Sequence, residues 1–142
     1  MPLVDFLTAG LVGGILMGLV AEIGYRTGLF QMSLFVVDGE FALNLLGVKH
    51  NQSLVYALGI PIHLVTGTVF GLGYGLMHLF LPVYPKDPVI VAIYTFILWI
   101  SMLFCALPIA GQGWMGRKAG NRVWFEQLVV HTAFGLGLWW AL

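Results

Sequence analysis

Residues 59–75, GIPIHLVTGTVFGLGYG, combine a long apolar run with regularly spaced glycines and a single imidazole. Gly67, Gly71 and Gly75 recur every fourth residue, so they fall on one face of an α-helix. No charged residue interrupts the run, and its flanks on both sides are apolar as well. A run of about 20 apolar residues is long enough to cross a bilayer as a helix. The stretch therefore predicts a membrane-spanning helix that carries His63 inside the membrane.

The composition of the whole chain agrees with a membrane environment. Of its 142 residues, 60% are hydrophobic and 8% are charged, and the mean hydropathy is +0.96. Soluble domains carry about 25% charged residues, so this chain is too apolar for that class. The formal net charge is zero, which argues against a nucleic-acid partner. The single cysteine, Cys105, excludes a disulfide within the chain.

The apolar runs predict an all-α integral membrane protein with one transmembrane domain, residues 1–142. The four predicted spans are about residues 6–25, 54–81, 88–110 and 123–142. Asp87 can cap the start of the third helix, and Pro88 suits its first helical position. The joint LPVYPKDP is short, so the second and third helices form an antiparallel pair. An up-down four-helix bundle is therefore expected.

The connection between the first two spans, residues 26–53, is long and unusually apolar. Asp38-Gly39 near its middle is a hairpin-turn signal, so the segment is either a short hairpin or an amphipathic helix at the membrane interface. We expect it to cover one mouth of the bundle. Asp38 and Glu40 flank this turn and are assigned to turn chemistry, and His50 is assigned to solvent.

Basic residues predict the orientation in the membrane. Two connections on one side of the bundle hold five of the six: Arg26, Lys49, Arg117, Lys118 and Arg122. Lys86 lies on the other side. The positive-inside rule places the basic connections in the cytoplasm and both termini outside. The expected location is the cytoplasmic (inner) membrane of a bacterium or archaeon.

Glycines line one face of each of the first two predicted spans. The first span has Gly10, Gly14 and Gly18 at the spacing seen in the second, Gly67, Gly71 and Gly75, a pattern known as a glycine zipper. Small residues at this spacing allow helix backbones to approach closely. Packing within the chain, in a homodimer or in a larger membrane complex is one interpretation. A groove for a flat cofactor is the other.

The predicted spans contain few ionisable residues: Glu22, His63, His78, Glu126 and His131. His63 lies roughly 13 Å into the second helix and His131 roughly 12 Å into the fourth, at 1.5 Å per residue. Because those helices are expected to run parallel, the two imidazoles lie at matching depth. Glu22 and Glu126 fall toward the same side of the membrane. Ionisable groups within a membrane usually face the bundle interior, so these four residues are expected to converge.

The leading hypothesis for this site is a b-type haem. His63 and His131 would be its axial ligands, and Gly14, Gly67 and Gly135 would leave room for the porphyrin. The expected function of this haem would be electron transfer to or from a membrane quinone or a partner complex.

Two alternatives remain open. The first is a metal ion held by His63, His131, Glu22 and Glu126, a ligand mixture that suits zinc, iron or manganese. The second is a non-catalytic accessory subunit in which the histidines only stabilise packing. The chain has no P-loop, nucleophile elbow, dinucleotide fingerprint in a strand context or zinc-protease motif. We therefore assign no catalytic residue and expect no stand-alone enzyme.

Three segments carry a resemblance to known proteins: HLVTGTVFGLGYG, DPVIVAIYTFILWI and VVHTAFGLGLWW. Together they resemble a group of small bacterial and archaeal integral membrane proteins of unknown function. The resemblance covers about residues 54–142. It implies four spans with a histidine leading into a glycine-rich stretch in the second and fourth, and it implies no enzymatic activity.

Overall fold

The computed structural model describes residues 2–142 and consists of five helices joined by turns. They are α1 (Leu3–Arg26), α2 (Leu34–Leu46), α3 (Gln52–Phe80), α4 (Pro88–Ile109) and α5 (Val123–Ala141). No β-strand occurs within these described residues. The prediction of an all-α fold is confirmed.

Three of the five helices are long and apolar enough to cross a membrane: α1, α3 and α4. The structure therefore confirms three of the predicted spans as candidates by length and composition. The fourth predicted span forms a 19-residue helix, α5, which does not reach the same hydropathy within the described chain. Its first half carries Glu126, Gln127 and His131, whose polar side chains lower its mean hydropathy. Whether α5 crosses the bilayer stays a prediction.

Helix α4 begins as the sequence predicts and contains an irregular turn near its end. The Asp87 carboxylate accepts hydrogen bonds from the backbone N–H groups of Val89 (2.8 Å) and Ile90 (3.3 Å), and Pro88 follows directly. Residues Met102–Ala106 form a π-helical turn. Pro108 lies just beyond it and lacks an N–H for the carbonyl four residues earlier. Such wide turns insert one residue into a helix and often occur at functional sites.

The connection between α1 and α3 contains a helix, so the hairpin alternative is wrong. Asp38 and Gly39 lie inside α2. A side chain at Gly39 would overlap the backbone of Val55, and one at Gly59 would overlap the carbonyl of Phe35. Glycine is present at these positions because α2 and α3 pack with their backbones in contact. The placement of α2 at the membrane interface stays a prediction.

The glycine faces of α1 and α3 pack against each other within one chain. A Cβ atom added at Gly10 would lie 2.5 Å from the Gly67 carbonyl oxygen and 2.6 Å from the Gly71 Cα. One added at Gly14 would lie 3.3 Å from the Gly67 Cα. These contacts leave no room for a planar ring between the two helix backbones. Close packing of α1 against α3 is therefore sufficient to explain why the glycines recur every fourth residue.

Helix α1 lies between α3 and α5, while α4 packs against α5 and α2 against α3. At one end, the side-chain oxygen of Gln31 accepts a hydrogen bond from the Arg122 N–H, so the α1–α2 and α4–α5 connections meet. At the other end, the Trp139 indole donates to the Lys86 carbonyl and the Tyr74 hydroxyl to the Pro85 carbonyl. The α3–α4 connection therefore lies at the end opposite the other two.

Candidate functional site

All five helices contribute to one central cavity of about 260 Å³, which is partly open to the outside. Most of its walls are apolar, which makes the few polar side chains conspicuous. Its ionisable and hydroxyl-bearing residues are Asp38, His63, Thr66, Ser101, Cys105 and His131. Within residues 2–142, no lysine or arginine lines it. A positive charge in this cavity therefore arises only by protonation of an imidazole.

His63 is buried at the side of this cavity and uses both of its ring nitrogens. Its Nδ1 lies 2.7 Å from Oδ2 of Asp38 on α2, and its Nε2 lies 3.0 Å from the Gly14 carbonyl oxygen on α1. The imidazole is 6% exposed, and the Phe35 ring meets it edge-on with centroids 5.3 Å apart. One side chain of α3 thus joins three helices.

The partners of His63 determine how many protons the pair carries. A backbone carbonyl only accepts hydrogen bonds, and an ionised carboxylate only accepts as well. If Asp38 is ionised, the imidazole must donate from both nitrogens and is positively charged. If the imidazole is neutral and donates from Nε2 to Gly14, Asp38 must be protonated and donate to Nδ1. Both arrangements place the same number of protons on the His63–Asp38 pair. They differ only in whether Nδ1 of His63 or the Asp38 carboxyl group carries the shared proton.

His131 lines the same cavity from α5 but has a different hydrogen-bond pattern. Its Nδ1 lies 2.7 Å from the Gln127 carbonyl oxygen and therefore donates to it. Its Nε2 has no hydrogen-bond partner within residues 2–142. In the neutral ring this nitrogen is an acceptor. His131 as a whole residue is 3% exposed.

The glycines predicted to surround a cofactor are divided between two places. Gly14 and Gly67 line the cavity that holds His63. Gly135 lies instead in a separate groove between α4 and α5, against the Thr95 side chain. The structure therefore brings His63, His131, Gly14 and Gly67 to one cavity and places Gly135 outside it.

The two glutamates bind the α1–α2 connection and do not line the cavity. Glu22 accepts hydrogen bonds from Arg26 Nε (2.7 Å) and from the Ser33 hydroxyl (2.6 Å). Glu126 accepts one from the Gln31 N–H (2.8 Å). The carboxylates satisfy donors close to helix ends, where unpaired N–H groups and basic side chains are found. The expected convergence of both glutamates with the histidines does not occur.

The histidines and glutamates predicted as metal ligands do not form a metal-binding group within residues 2–142. No three histidine, cysteine, aspartate or glutamate side chains there lie in an arrangement that could hold a metal ion. The assignment of His63, His131, Glu22 and Glu126 as metal ligands stays a prediction. His78 lies apart from the cavity, where its Nδ1 donates to the Tyr74 carbonyl (2.8 Å) and its ring stacks on Phe6.

Asp38 is the residue of this site that the sequence did not indicate. The turn interpretation of Asp38-Gly39 is wrong because both residues are helical. A signal was nonetheless present, since Asp38 is a carboxylate inside the run LFVVDGEFALNLL. The Asp38 side chain is 20% exposed, and a carboxylate that is mostly removed from water among apolar side chains requires a partner. His63 on the neighbouring helix is that partner.

The chain was compared with protein-family models, with curated proteins and with solved structures, and none of them matches.

Proposed function

We propose that this protein is a multi-pass membrane protein in which the His63–Asp38 pair holds a proton inside the bilayer and exchanges it across the central cavity. The supporting observation is that both ring nitrogens of a buried histidine face oxygen acceptors, Asp38 Oδ2 at 2.7 Å and Gly14 O at 3.0 Å. A neutral imidazole beside an ionised carboxylate has only one N–H to donate, so one of the two hydrogen bonds would lack a donor. The pair therefore needs one more proton to form both. Structural packing alone does not require a titratable pair.

The position of His63 along α3 supports a role within the membrane. It lies eleven residues after Gln52, the first residue of the helix. At 1.5 Å per residue this is roughly 17 Å along the axis. A hydrocarbon core is about 30 Å thick, so a spanning α3 carries the imidazole near the bilayer centre. Ionisable groups at that depth often belong to proton relays.

His131 supplies the second position that a relay needs. Its Nε2 is an unoccupied acceptor at the same cavity, so it can take a proton that leaves the His63–Asp38 pair. A cavity of about 260 Å³ has room for water between the two imidazoles. We place this relay in a four-span protein of a cytoplasmic membrane, with both termini outside and α5 as the fourth span. The resemblance to small four-span membrane proteins is part of the same proposal.

Substitution of Asp38 by asparagine tests the relay. The amide of the introduced asparagine can still donate to Nδ1 of a neutral His63, so the hydrogen bond is kept while the titratable carboxyl group is lost. We expect proton flux into liposomes containing the Asp38→Asn variant to fall about tenfold or more below that of the wild type. The flux is measured with an entrapped pH-sensitive dye under a potassium diffusion potential.

The matched control is Glu40→Gln, which also removes a carboxylate from α2. Glu40 accepts a hydrogen bond from Gln112 Nε2 (2.6 Å) and does not line the central cavity. Its replacement should leave the flux unchanged. Equal flux in the wild type, both variants and protein-free liposomes would contradict the proposal.

A b-type haem between His63 and His131 is the second candidate. It is favoured by the free Nε2 of His131, because donation from Nδ1 to a backbone carbonyl is a common arrangement for an imidazole ligand. Haem ligation by His63 would require its Nε2 to leave the Gly14 carbonyl. A dithionite-reduced minus oxidised spectrum tests this candidate. A sharp α-band that disappears in His131→Ala would establish it, with electron transfer to a quinone or partner complex as the function. A flat spectrum from protein produced with ample haem would exclude it.

A further inference from the structure

A second cavity, a groove of about 350 Å³, lies between α4 and α5. Phe96, Leu136 and Trp139 line it and are each 43–58% exposed, so the groove opens on the outer face of the helix pair. In a membrane this face meets lipid. The volume falls within the range of about 300–1,000 Å³ that small-molecule sites occupy.

The floor of the groove holds two polar groups without partners. The Thr95 hydroxyl makes no hydrogen bond within residues 2–142, although Thr95 is only 8% exposed. Gly135 lies against this hydroxyl, and a Cβ atom there would be 2.5 Å from Thr95 Oγ1. His131 also lines the groove, and its Nε2 is an unoccupied acceptor. Buried polar groups are normally paired, so the buried Thr95 hydroxyl indicates a missing partner in this groove.

The lining also restricts the chemistry of that ligand. No lysine or arginine lines the groove, which argues against a phosphate or carboxylate headgroup. The aromatic side chains of Phe96 and Trp139 favour a flat ring. The acceptor at His131 requires an O–H or N–H donor on the ligand. The Thr95 hydroxyl can donate to a ligand oxygen.

We propose that this groove binds a quinol from the bilayer. One ring hydroxyl donates to Nε2 of His131, and Thr95 donates to an oxygen of the same ring. The apolar walls hold the ring substituents. This site does not involve Asp38, but it uses the same Nε2 of His131 as the proposed relay.

Duroquinol, a small tetramethylated quinol, is a suitable probe under anaerobic conditions. We expect it to shift the ¹⁵N resonance of His131 Nε2 in a saturable manner when added to histidine-labelled protein in lipid nanodiscs. The dimethyl ether of duroquinol keeps the ring but cannot donate, so it should leave Nε2 unshifted and bind about tenfold more weakly. Absence of a saturable shift, or equal binding of the ether, would overturn the proposal.

Thr95→Val removes the unpaired hydroxyl while keeping the shape of the side chain. We expect it to weaken duroquinol binding about tenfold, since one buried hydrogen bond is lost. Thr132→Val is the matched control, because Thr132 lines the same groove but its hydroxyl already donates to the Leu128 carbonyl (2.8 Å). Equal weakening by both valine variants would show that Thr95 does not contact the ligand.

Discussion

Asp38→Leu is expected to lower the free energy of unfolding by about 2–4 kcal/mol. The leucine leaves Nδ1 of the buried His63 without a partner, either as an uncompensated charge or as an unpaired acceptor. The bond that is lost measures 2.7 Å and joins α2 to α3. Equilibrium unfolding in mixed detergent micelles measures the change.

Two variants separate the lost polar contact from general damage to α2. Asp38→Asn keeps a donor for Nδ1 and should cost about 1 kcal/mol or less. In the double variant Asp38→Leu/His63→Leu both polar groups are removed, so at least part of the stability lost in Asp38→Leu should return. A double variant no more stable than Asp38→Leu alone would contradict this account.

Gly10→Ala is expected to destabilise the protein by about 2 kcal/mol net. Alanine favours a helix by about 1 kcal/mol over glycine, so the packing penalty must exceed that gain. The added methyl would lie 2.5 Å from the Gly67 carbonyl oxygen and 2.6 Å from the Gly71 Cα. Both are backbone atoms and cannot rotate away, so α1 and α3 must separate, and overpacking of this kind costs about 3 kcal/mol. The same unfolding assay measures the loss.

Gly73→Ala is the matched control for this contact. Gly73 is likewise a helical glycine, on α3, but among residues 2–142 its added Cβ would meet only the Tyr94 hydroxyl, at 3.1 Å. The end of a side chain can yield by a few tenths of an ångström, so the stability should change little. If Gly10→Ala were as stable as Gly73→Ala, the glycine contact between α1 and α3 would not be a determinant of the fold.

The helices were predictable because their signals are local and strong. Every predicted span boundary lies within three residues of a helix end in the structure. Long apolar runs determine where helices lie, and the Asp87-Pro88 pair sets the start of α4 through its own backbone contacts. These features do not depend on which helix packs against which.

The candidate site was less predictable because its contacts are tertiary. The pattern Asp38-Gly39 is the same in a turn as in a helix where glycine allows close packing, and only the contact of Gly39 with Val55 distinguishes them. In the structure, Glu22 and Glu126 lie on the side of the bundle that the sequence predicts. Their helix positions did not reveal that donors of the α1–α2 connection, at Ser33 and Gln31, lie closer than the histidines.

The short length of α2 has a consequence for biogenesis. Its 13 residues extend roughly 20 Å, too little to cross the bilayer. With α3 as a membrane span, we expect His63 to enter the membrane on α3, whereas Asp38 must reach it by the docking of α2 onto α3. We expect the hydrogen bond between His63 and Asp38 to form only when α2 closes on α3. Assembly of the site is then a post-insertion step, and a delay in the docking of α2 would leave His63 without its carboxylate partner.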